Sequence, residues 1–149
     1  MKRLHVDVAV DDLAQSVRFC SALFAAEPSV AQTDHAKWML DEPRVNFAIS
    51  TRSGRKGLDH FGIQAETQEI FGRLQAAERP VLAEGHTTCC YAQSEKAWIA
   101  DPHGLAREAF LTTCPSTVDG SDLDLAPITD AACCTTTTPQ VGCCGAGAT

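Results

Sequence analysis

The sequence predicts an α+β domain built from a duplicated strand, helix and strands module, and three observations lead there. Residues 4–10 alternate with period two, so that Leu4, Val6, Val8 and Val10 share one face while His5, Asp7 and Ala9 share the other. Apolar residues then recur at helical spacing, as Leu13, Val17, Cys20 and Phe24. The same succession begins again at an offset of 55 residues, which sets His60 against His5. A chain of 149 residues holds one ordinary domain with a core and is too short for two independent ones.

The first strand, 4–10, is followed by Asp11 and Asp12, either able to cap a helix, with Gln15 at the capping-box position after Asp12. That helix ends near Ala26, before Pro28. Strands follow at 36–40 and 45–50, separated by a turn at Asp41-Glu42-Pro43. The first module therefore spans about 1–51. A basic, glycine-containing linker, 52–57, leads to the second module, about 57–114. It opens with a strand at 58–65 and continues with a short helix that Thr67 can cap, carrying Ile70, Phe71, Leu74 and Ala77 and closed by Pro80. Strands at 87–92, 96–100 and 105–112 complete it, with Asp101-Pro102-His103-Gly104 as a tight turn before the last. Past Cys114 the pattern dissolves into Pro, Gly, Asp, Ala and a run of threonines, so residues 1–118 are expected to form the domain and 119–149 a flexible cysteine-rich tail.

Composition narrows the partners. No apolar run approaches the roughly 20 residues that span a bilayer, and Met1-Lys2-Arg3 leads into a strand rather than an apolar leader, so a cytoplasmic location is expected. A formal charge of -7 without a Lys/Arg-rich stretch argues against nucleic acid or an anionic membrane and for a small-molecule partner, bound by a monomer or homodimer. Cysteine usage is uneven: Cys89-Cys90, Cys133-Cys134 and Cys143-Cys144 are adjacent pairs, while Cys20 and Cys114 stand alone. Neighbouring cysteines bridge each other only through a strained ring, so thiols in a reducing compartment fit better than a secreted framework. Adjacent thiolates suit a soft centre such as trivalent arsenic, cadmium or zinc, and an incidental tail is the alternative for the last two pairs.

Three strand residues carry the remaining chemistry: His5, His60 and Glu108, the last between Ala106 and Phe110 on its face. If the modules pair their sheets around one cleft, two imidazoles and one carboxylate converge at its centre. Such a set leaves coordination positions open, as non-haem iron(II) chemistry requires.

The segments MKRLHVDVAVDDL, KWMLDEPRVNFAIS, GLDHFGIQ, TTCCYAQSEKAWIADPHG and EAFLTT resemble the ArsI family of carbon–arsenic lyases and the related cadmium-induced proteins, over residues 1 to about 118. The resemblance implies two paired βαβββ modules forming a metal-binding cleft, the vicinal oxygen chelate fold. It implies Fe(II) held by His5, His60 and Glu108, dioxygen as co-substrate, and a trivalent organoarsenical captured by Cys89 and Cys90. Departures are Cys20 for Tyr, Asp7 for His, Arg107 for an aromatic and Asp119 for Tyr. Arg107 should face away from Glu108, and Asp7 either orients His5 or adds an acidic ligand. A glyoxalase-like site would need a carboxylate on the strand at 45–50, which has none. The rival of another class is a protein that sequesters cadmium or arsenic through its thiols without turnover.

Overall fold

The computed structural model describes residues 2–54, 56–66, 68–118, 120 and 123–129. Within them the chain forms β1 (Arg3–Ala9), α1 (Leu13–Phe24), β2 (Val30–Ala31), β3 (His35–Asp41), β4 (Arg44–Ser50), β5 (Gly57–Ala65), α2 (Glu69–Gln75), β6 (Val81–Cys89), β7 (Ala92–Ala100), β8 (Ala106–Pro115) and α3 (Ala126–Thr129). The strands make one curled, mixed eight-stranded sheet in the order β2-β3-β4-β1-β5-β8-β7-β6. Each module is a βαβββ unit whose first strand lies parallel to its last, β1 beside β4 and β5 beside β8. The modules join where β1 and β5 run antiparallel. This is the α+β architecture of paired βαβββ modules that the sequence predicts.

Local chemistry sets the elements. Asp12 caps α1, its side chain accepting the Gln15 N–H at 2.9 Å, and Ala25 ends the helix in the left-handed region at φ 51°. The apolar stripe of α1 packs Cys20 into a cluster with Ala36, Trp38 and Ile49, and Val8, Val17, Phe24 and Phe47 pack around them. On the same side of the second module, α2 places Ile70 against Ala65 and Ala109. Gln68, at the N-cap of α2, makes no side-chain cap bond, and the proposed cap Thr67 lies outside the described residues.

Strand alternation has an outcome that polarity alone does not suggest. The mixed face of β1, with His5, Asp7 and Ala9, is buried, while Leu4 on the aliphatic face is 46% exposed. The helices cover the aliphatic face only in part, whereas the sheet curls around the other face and encloses it. Burying His5 and Asp7 is costly unless they are partnered, which marks the concave face as the place to look for chemistry.

Two segments differ from expectation. The strand placed at 87–92 ends at Cys89, and Cys90 and Tyr91, at φ 56° and 58°, form the two-residue turn that returns the chain to Ala92. Both central residues of this hairpin have positive φ, which favours Asn and Gly and gives Cys-Tyr no turn signature in sequence. Residues 123–129, assigned to the tail by composition, pack on β7: Ile128 is buried against Trp98, Ala100 and Ala106, with Leu82 and Leu125 alongside. The rest of the expected tail, including Cys133, Cys134, Cys143 and Cys144, lies outside the described residues. Among the described residues no helix is long and apolar enough to cross a membrane.

A candidate metal and thiol site

Strand register brings the candidate donors together. His5 on β1 lies opposite Gly62 on β5, and Gly62 lies opposite Glu108 on β8, so the three occupy one row across the centre of the sheet. His60 sits two residues before Gly62, opposite Asp7. Gly62 is the gap in that row: a Cβ there would come within 2.9 Å of the Glu108 backbone oxygen and 3.0 Å of its Cβ. The missing side chain lets Glu108 reach the imidazoles, and its Oε2 lies 3.6 Å from Nε2 of both His5 and His60. The two rings are 5.2 Å apart between centroids.

Each imidazole is oriented through its other nitrogen. His5 Nδ1 donates to the Asn46 carbonyl at 3.0 Å, and His60 Nδ1 donates to Asp59 Oδ2 at 2.8 Å. These bonds leave both Nε2 atoms facing Glu108, the tautomer and direction a metal ligand needs. Donors bound about 2.1 Å from a common ion stand roughly 3–4 Å apart, and 3.6 Å falls inside that interval. Asp7 joins the group, since His5, Asp7 and His60 each bring a ligand atom within 4.8 Å of the others. Because Asn46 takes the His5 Nδ1 proton, the first of the two roles open to Asp7 has another occupant; Asp7 instead faces His60 across the β1–β5 pair.

The charges are interdependent. Burial drives the His5 imidazole down to about 4, against the pull of Glu108, so the ring is neutral at pH 7. Burial acts the same way on His60, but hydrogen bonds to Asp59 and Glu108 outweigh it and hold its proton up to about 10. Burial raises Asp7 to about 6, with His60 opposing. Glu108 is buried too, yet Lys96, with Nζ 2.7 Å from its Oε1, and the imidazoles keep it ionised well below the usual carboxylate range. Lys96 therefore occupies one carboxylate oxygen and leaves the other toward the imidazoles. A cation entering here would meet one neutral imidazole and one ready carboxylate, and would displace the proton on His60.

Cys89 and Cys90 line the same cavity, about 340 Å³ in volume, as His5, His60, Glu108, Lys96 and Trp98. Their sulfurs are 2.9 Å apart, and both are thiols. The hydrogen bond to Cys89 pushes the Cys90 thiol up, and burial adds to this, so Cys90 keeps its proton. Lys37 and Leu123 to Leu125 complete parts of the wall. Arg107 faces away as expected, its guanidinium 2.7 Å from Asp101 and over the Phe61 ring. Sequence reasoning did not single out Asn46, Asp59, Asp34 or Arg52. Asp59 had a signal, its adjacency to His60, whereas the others act through loops and backbone that periodicity does not report.

No model of a known protein family matches the chain. A trivalent organoarsenical cleaving enzyme of Bacillus sp. (strain MD1) is 41% identical over 119 residues, covering 75% of this chain and 74% of the relative. The chain belongs to the family of trivalent organoarsenical cleaving enzymes. A second organoarsenical-cleaving relative, described as probable, from Bacillus subtilis (strain 168), is 33% identical and covers 97% of this chain and 100% of its own length. Among solved structures, the Mn(II)-bound glyoxalase of Novosphingobium aromaticivorans superposes with a TM-score of 0.53 at 18% identity, covering 84% of this chain and 44% of that one. That likeness carries the fold alone, the curled mixed sheet of paired βαβββ modules.

Proposed function

We propose that the protein is an Fe(II)-dependent, dioxygen-using carbon–arsenic lyase that releases arsenite from trivalent organoarsenicals such as methylarsenite. The observation that carries this reading is one cavity lined by both a nitrogen and oxygen donor cluster and a vicinal thiol pair, in a chain 41% identical to an enzyme named for cleaving such compounds. His5, His60 and Glu108 would hold the iron, with Asp7 beside them. Bound iron(II) would supply the activation of dioxygen that oxidative cleavage of a carbon–arsenic bond needs.

The protein's own residues divide the remaining tasks. The Cys89 and Cys90 thiols exchange with the two hydroxides of R–As(OH)2, forming two As–S bonds and releasing two waters, and so fix the arsenic in the cavity wall. Capture at both sulfurs leaves the organic substituent as the group free to project into the cavity, next to Trp98 and Phe110. Asn46 and Asp59 hold the imidazoles, and Lys96 holds Glu108, so the donors need no rearrangement when metal enters. Leu123 and Leu125 add apolar surface to the cavity wall.

The test is arsenite release from methylarsenite by the purified chain with Fe(II) and air. Activity should be lost in His60→Ala and Glu108→Ala while arsenical binding survives. It should also be lost in the Cys89→Ser, Cys90→Ser double variant while metal binding survives. Stoichiometric arsenic or cadmium binding with no arsenite release would instead identify a sequestering protein.

A further inference from the structure

The hairpin that carries the thiols is tied to the opposite module by a ring of side chains. Tyr91, the second residue of its turn, donates from its hydroxyl to Asp34 Oδ1 at 3.0 Å. Arg52 donates from Nε to Asp34 Oδ2, also at 3.0 Å, and its guanidinium carbon lies 5.6 Å from the Tyr91 ring centre. From Nη1 the same guanidinium reaches Cys90 Sγ at 3.6 Å. Asp34 immediately precedes β3 of the first module and Arg52 follows β4 at the start of the linker, beside the paired ends His35 and Ser50, and the Thr51 N–H bonds the Asp34 carbonyl at 3.0 Å. The Arg52 side chain is 13% exposed and that of Asp34 36%.

We propose that Asp34 and Arg52 are positioning residues for the thiol pair. Through Tyr91 and the Cys90 sulfur they hold the hairpin so that both sulfurs meet one arsenic atom. Three points support this. Cys90 and Tyr91 both occupy the left-handed region, at φ 56° and 58°, a turn conformation that neither side chain favours and that persists only where surrounding contacts enforce it. Those contacts come from the other module, so the thiol pair is referenced to the half of the protein that supplies His5 rather than to its own strands alone. And the Nη1 contact puts a permanent positive charge beside the sulfur that keeps its proton through Cys89, where it favours the anion as arsenic closes onto both sulfurs. In that step two As–O bonds break and two As–S bonds form. The two thiol protons leave with the two hydroxides as water, and no electrons are transferred.

This proposal rests on the reading of Cys89 and Cys90 as the capture site, and its test separates the two. In the full-length, metal-free chain with Cys133, Cys134, Cys143 and Cys144 changed to serine, phenylarsonous acid binding would be followed by tryptophan fluorescence, to which Trp38 and Trp98 contribute, and by intact mass. The pH profile of iodoacetamide alkylation of Cys89 and Cys90 would be measured in parallel. Arg52→Met should weaken arsenical binding at least tenfold and move the alkylation profile to higher pH. Asp34→Asn should weaken binding with a smaller move in the profile, and Arg52→Lys should recover the profile more than the affinity. If Arg52→Met does not fold by circular dichroism, Asp34→Asn and Arg52→Lys carry the test. Parental affinity and an unmoved profile in the folded variants would overturn the positioning role. Undiminished binding in the Cys89→Ser, Cys90→Ser protein would instead overturn the capture site itself.

Discussion

At the scale of single residues, Gly62 determines more than its lack of side chain suggests. It lies in the row between His5 and Glu108, and a Cβ there would press on the Glu108 backbone oxygen at 2.9 Å, which a rotamer change cannot relieve. Gly62→Ala should cost about 1–3 kcal/mol of stability and lower metal affinity at least tenfold, because Glu108 must move with its strand. Thermal unfolding and a Co(II) titration check this, and an unchanged affinity would show that Glu108 is not a ligand. That His5, His60 and Glu108 lie on strands facing one side was legible from alternation, with the internal duplication adding weight for the two histidines only. The role of Gly62 was not, since it depends on which strand lies beside it.

At the scale of elements, the loop between β7 and β8 is organised by one carboxylate. Asp101 Oδ1 accepts the N–H groups of His103 and Leu105 at 2.9 and 3.0 Å, and Oδ2 accepts from Arg107 at 2.7 Å. Burial works against ionisation, but the backbone bonds and Arg107 outweigh it and hold the carboxyl below its ordinary value of 3.8. A depressed carboxylate stabilises the fold above its unfolded value, and the contribution fades as the pH falls through the folded one. Asp101→Asn should therefore cost about 1 kcal/mol at pH 7, allowing for solvent screening, and the gap should narrow below about pH 3.8. Urea unfolding at several pH values measures it, and a gap independent of pH would show that the charge is irrelevant. This turn was legible because Asp-Pro-His-Gly announces itself. The Cys90-Tyr91 turn was not, because tertiary contacts, not local preference, hold its two positive-φ residues.

At the scale of the whole molecule, the described chain does not end with β8. Ile128 and Leu125 pack on the Trp98 cluster, and Leu123 to Leu125 line the cavity. Ending the chain after Thr129 should leave stability within about 0.5 kcal/mol of the parent, as for removal of a segment without a periodic apolar face. Ending it after Gly120 should cost about 2–4 kcal/mol, the worth of two buried aliphatic side chains, and weaken substrate retention. Equal stability of the two truncations, in urea, would show that the packing of α3 contributes nothing. Composition suggested a tail here because four helical residues are too few to show periodicity.

The seam between the modules has a thermodynamic consequence. His5 stands on one side of the β1–β5 pair, His60 and Glu108 on the other, so a cation held by all three would crosslink the two halves in addition to their strand pairing and the Tyr91–Asp34 tie. Ligand binding and cohesion of the halves then become one equilibrium. Each tenfold rise in free metal above its dissociation constant deepens the folded well by about 1.4 kcal/mol, and stripping the metal gives that energy back at the seam.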